Sequence, residues 1–116
     1  MKDWKRINSC LKLLDVSYKQ LPNCVRIHNS NDIKHELAKT KICYLLQKQG
    51  LVYYTEAIFK GGKGRADVLV PEHFRVIEVL NTETEVEVLQ KKNYYPEELD
   101  ILYFTTDEIL NEDFMI

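Results

Sequence analysis

Two carboxylates sit where a charge is hard to accommodate. Asp67 interrupts the run Ala66-Asp67-Val68-Leu69-Val70, and Glu78 interrupts Val76-Ile77-Glu78-Val79-Leu80. An uncompensated carboxylate inside an apolar strand costs several kcal/mol, so each acid must find water, a cation or a metal. Two arrangements meet that demand. The acids could lie at a sheet end and reach solvent or Arg65. They could also share a divalent ion, because hard cations such as Mg²⁺ take carboxylate and backbone oxygens and keep several waters. Acids on adjacent antiparallel strands can bring their oxygens to one ion.

Other polar residues cluster nearby in sequence. The Gly61-Gly62-Lys63-Gly64-Arg65 segment, preceded by Lys60, is either a flexible hairpin loop or a place where backbone and cations meet phosphate. Its spacing is not that of a Walker loop. Lys91, Lys92 and Tyr95 would extend this basic surface. Asn81-Thr82-Glu83-Thr84 reads first as a helix cap with first-turn acids, the alternative being that Thr82 or Glu83 helps to hold metal or water. Cys10, Cys24 and Cys43 contain no C-x-x-C pair and are odd in number, which argues against a zinc site and a disulfide framework.

Stepping along the chain, Trp4, Ile7, Leu11 and Leu14 recur at helical spacing and predict a helix over 3–14. A short strand is expected at 24–27. A longer helix is expected over 31–49, capped by Ser30, Asn31 or Asp32 and ended by Gly50. LVYYTEAIF, ADVLV and FRVIEVL then predict an antiparallel three-stranded meander, whose continuous apolar character implies cover on both faces. A helix over 82–92, a fourth strand at LDILYF and a short helix at DEIL complete the order. The expectation is one α/β domain spanning 1–116, with a core from about residue 30 to residue 105 in the order α-β-β-β-α-β around a central mixed four-stranded sheet, plus an extra N-terminal helix.

Asp67 and Glu78 thus fall on the second and third strands after a long helix, and here the chain resembles the PD-(D/E)XK nuclease superfamily, the restriction-endonuclease-like core. Gly64 to Val70 looks like the half of its signature that carries an acid on the second strand, and Val76 to Leu80 like the E-x-K half. Gln90 and Tyr94 resemble the Q-x-x-x-Y of some branches. His35 and Lys39 resemble an H-x-x-x-K of others, and both project on the face of Ile42 and Leu46. Glu36, at the place of the family's usual helix acid, points towards the polar flank. The resemblance implies a nuclease acting on DNA, in which Asp67, Glu78 and the carbonyl of Val79 bind Mg²⁺ or Mn²⁺, and Gln90, His35 and Glu36 belong to the site. It also implies phosphate contacts from Lys60, Lys63, Arg65, Lys92 and Tyr94, and a homodimer.

One position departs from the pattern: Leu80 stands where the E-x-K lysine would be. That lysine assists the attacking water and offsets charge in the transition state, which leucine cannot do. Lys39 or Lys91 would have to replace it. Without a replacement, the reading becomes a nuclease-fold module that binds nucleic acid or a protein without cutting. The formal net charge of −2 confines any polyanion contact to a local patch. No apolar run approaches the roughly 18 residues of a membrane span. MKDWKRINSCLKLLD is too charged for a signal peptide, so a cytoplasmic protein is expected.

Overall fold

The long helix begins where its cap is strongest. The carboxylate of Asp32 accepts the N–H of His35 at 2.8 Å, satisfying a donor that a helix start leaves open, and α2 runs over Ile33–Lys48. Gly50 follows at φ 76°, a left-handed conformation that glycine adopts without a Cβ penalty. The N-terminal helix α1 spans Trp4–Leu11, capped by Asp3. It stops short of residue 14 because Leu14 forms an isolated bridge with Phe59 and the N–H of Asp15 donates to the Ile58 carbonyl. The computed structural model describes residues 2–62, 64–81 and 95–116. The helix expected over 82–92 lies outside the described residues.

Among the described residues four strands follow in chain order, β1 (Tyr54–Ile58), β2 (Arg65–Val70), β3 (Arg75–Leu80) and β4 (Asp100–Thr105). They form one mixed sheet in that spatial order, with β1, β2 and β3 antiparallel and β4 parallel to β3. Helix α3 (Thr106–Leu110) leaves β4 directly through a capping box between Thr105 and Glu108. No strand forms at 24–27. There Thr55 Oγ1 accepts the Arg26 N–H and donates to the Cys24 carbonyl, so a side chain takes the place of a partner strand.

Both sheet faces are covered. Ile7 and Cys10 of α1 pack with Ala57, Phe59, Leu69 and Val76 on one side. Ala38, Ile42 and Leu46 of α2, with Ile109 of α3, pack with Val68, Val70, Ile77 and Val79 on the other. Strict alternation would put Ala66, Val68 and Val70 on one face. Instead Ala66 joins the α1 side while Val68 and Val70 join the α2 side. In β1, Tyr54 and Ala57 share the α1 side although three residues apart. The break in both strands falls at the level of Glu56, whose φ of 52° is left-handed. The pairs Thr55↔Val68 and Ala57↔Ala66 bracket it.

Candidate functional site

That break sets a row of acids. The β1–β2 register puts Glu56 opposite Asp67, and one step beyond the last β2–β3 pair, Val68↔Ile77, Asp67 faces Glu78. Three neighbouring strands therefore carry a carboxylate at one level. Turned from the alternation, Asp67 meets α2 through His35, and Glu56 meets α2 through Lys39.

Asp67 lies where β2 and β3 cease to pair. Its Oδ2 accepts the Val79 N–H at 2.7 Å, and its Oδ1 lies 3.3 Å from Nε2 of His35. Glu78 lies close enough to bear on the ionisation of Asp67. Two carboxylates at such close quarters repel, and a cation placed between them would offset that repulsion. Desolvation pushes the Asp67 pKa up, but His35, Glu78 and the Val79 N–H together outweigh it and hold the group below the usual carboxylate range. Glu78 accepts a short hydrogen bond from the hydroxyl of Tyr95, whose ring packs edge-on against Phe59. Burial and then the Glu78 charge push the Tyr95 hydroxyl far above its ordinary value.

A chain of charges continues from Asp67 into α2. His35 Nδ1 lies 3.2 Å from Oε1 of Glu36, so the imidazole sits between two carboxyl groups. Burial disfavours the charged ring, yet these two acids raise its pKa overall. Glu36 accepts from Lys39 at 2.8 Å, from the Asn31 amide at 2.9 Å and from the His28 N–H at 3.1 Å. Against desolvation, these donors hold Glu36 below its ordinary value. Lys39 is fully buried and also donates to the Arg26 carbonyl at 2.6 Å, with Oε2 of Glu56 3.6 Å away. Glu56 Oε1 lies 3.3 Å from Nε of Arg65, while its Oε2 is buried with no hydrogen-bond partner among the described residues. Desolvation raises the Glu56 pKa, partly opposed by Lys39.

Several sequence expectations change here. Glu36 does not face the polar flank; the 28–31 loop folds over it and makes it the centre of the network. Lys39 approaches Glu36 and Glu56, and its cation pairs are with those two acids and not with Asp67. The Val79 contact to Asp67 is through its N–H. Arg65 stays exposed while it pairs with Glu56 and reaches Nδ1 of His28, 3.1 Å away. Tyr95 belongs to the acid row and not to a basic surface. Lys60 is exposed beside the β1–β2 turn, where Gly61 has φ 65°. Lys63, Gln90, Lys91, Lys92 and Tyr94 lie outside the described residues. Glu56 was missed, although an acid inside the apolar run Tyr53 to Phe59 is the signal that singled out Asp67 and Glu78.

Among the described residues no group of three or more His, Cys, Asp or Glu side chains is arranged to hold a metal ion. The Asp67–Glu78 pair still fits Mg²⁺ or Mn²⁺, which bind through one or two carboxylates and complete their shell with water and phosphate oxygens. Comparison with protein-family models, with curated proteins and with solved structures finds no match to this chain.

Proposed function

We propose that the chain is a metal-dependent nuclease of the PD-(D/E)XK type that hydrolyses DNA phosphodiester bonds. The observation that carries this reading is that Asp67 and Glu78 face each other in register on neighbouring strands, at the point where β2 and β3 cease to pair. These two acids would hold Mg²⁺ or Mn²⁺, with the Val79 carbonyl as a backbone oxygen beside them. When bound, the ion would polarise the phosphodiester and lower the pKa of its water. The protein's own part is preorganisation. The Val79 N–H fixes one oxygen of Asp67, and His35, itself held by Glu36, fixes the other. Lys39 anchors Glu36 and so sets the orientation of the imidazole. Phosphate would be met at Lys60 and by backbone of the neighbouring glycine turn.

A second reading is favoured by a separate observation. Leu80 is buried, and Lys39 is already committed to two acids and a carbonyl. Catalysis would then depend on Lys91, and without it the chain is a nuclease-fold module that binds nucleic acid or a protein. One experiment separates the two. Purified protein is incubated with single-stranded, duplex and branched DNA in Mg²⁺ or Mn²⁺. A nuclease cuts at least one substrate and loses this in Asp67→Asn and in Glu78→Gln while both variants stay folded. No cleavage of any substrate with either metal eliminates the enzyme.

A further inference from the structure

Glu56 is the acid of the row that the proposed reaction leaves without a task. It is 3% exposed, and its backbone stays left-handed although the residue is not glycine, a conformation that costs about 1–2 kcal/mol. What the side chain does there is take up two cations. Oε1 faces Arg65 at 3.3 Å and Oε2 faces Lys39 at 3.6 Å. Both cations start close to Asp67. Lys39 stands one helical turn from His35, whose ring already touches Asp67, and Arg65 is two residues from Asp67 on β2. Glu56 itself lies opposite Asp67 in the register and feels its charge. Each Asp67 oxygen already meets one group, the Val79 N–H or His35, and a lysine or arginine seated there would take the remaining lone pairs that a divalent ion needs.

We propose that Glu56 is a positioning residue that draws Lys39 and Arg65 away from Asp67 and so keeps that carboxylate open to a divalent cation. The inference rests on the metal-site reading of Asp67 given above. It accounts for three features together: the left-handed residue in mid-strand, the pairing of Arg65 with Glu56, and the pairing of a buried lysine with the acid beside Asp67. A salt bridge placed only for stability would need no departure from the strand conformation.

The test removes the Glu56 charge in two ways. Glu56→Gln keeps the side-chain volume, and Glu56→Gly suits the positive φ and so secures a folded variant where glutamine fails. Crystal structures of the full chain should then show the Lys39 ammonium or the Arg65 guanidinium within about 4 Å of Asp67. If both cations stay off Asp67 in the variants, the proposal is overturned. Calorimetric titration with Mn²⁺ gives the second readout. Binding should weaken by roughly tenfold in Glu56→Gly, because a cation then competes for Asp67, and return to within about threefold of the parent when Arg65→Met is added. Weakened binding that this double variant does not restore, in crystals that show Arg65 on Asp67, also overturns it. Absence of any Mn²⁺ binding that depends on Asp67 sinks the metal-site reading instead, while the crystal structures still decide where the cations go.

Discussion

Replacing Lys39 by methionine removes the cation at the centre of the buried chain while keeping most of its volume. The ammonium is fully buried and holds Glu36 at 2.8 Å, the Arg26 carbonyl at 2.6 Å and Glu56 at 3.6 Å. Removing one member of a buried ion pair costs about 3–5 kcal/mol, because the partner charge stays behind. Against a domain stability of about 5–15 kcal/mol this is a large share. At this chain length it should lower Tm by roughly 10–20 °C. The loss should also depend on pH. The Glu56 pKa is already raised by burial, with Lys39 opposing the rise, so the variant raises it further. A folded-state pKa above the unfolded one means stability that is present at low pH and lost as pH rises through the folded value. Glu36, which Lys39 helps to hold low, moves up in the same variant. The deficit of Lys39→Met should therefore be smaller at about pH 5 than at about pH 8. Thermal melts followed by circular dichroism at the two pH values measure this. A variant within about 1 kcal/mol of the parent at both would refute the view that Lys39 holds the acids together.

Three further outcomes follow from the same structure. Burial pushes the Cys10 thiol up to about 11 and the Cys43 thiol up to about 12, whereas Cys24 is exposed. Iodoacetamide at neutral pH should therefore label native protein at Cys24 alone, and peptide mapping that finds Cys43 labelled as fast would show that the α2 side of the core opens. Tyr95→Phe keeps the ring against Phe59 but removes the donor to Glu78, and should cost about 1–3 kcal/mol in urea melts. An unchanged midpoint would mean that this contact contributes nothing. Thr105→Ala breaks the capping box of α3 and should cost about 1 kcal/mol in the same assay, with no loss counting against the cap.

Much of the scaffold was legible because local chemistry and fold agree. Asp32 and Gly50 bound α2, and the turn residues after β1 and β2 set the meander. The acids Asp67 and Glu78 stood out because charge inside an apolar strand demands a partner. The rest depended on contacts distant in sequence. Nothing local places the 28–31 loop over α2, so Glu36 looked like a flank residue and is buried instead. Lys39 could be assigned to the core-facing side, but its partners come from β1 and from the Arg26 carbonyl. Glu56 carried the same signal as its neighbours, yet its left-handed backbone is a property of the packed sheet, and glutamate has no preference for it. The segment 24–27 has strand-forming residues, but its hydrogen bonds go to the Thr55 side chain.

The central claim is that Asp67 and Glu78 form one metal site. A crystal of the full chain soaked in Mn²⁺ and measured near the manganese absorption edge tests it most directly. One anomalous peak is expected between the two carboxyl groups, with metal–oxygen distances of roughly 2 Å. A peak elsewhere, or none between the two carboxyl groups, would contradict it.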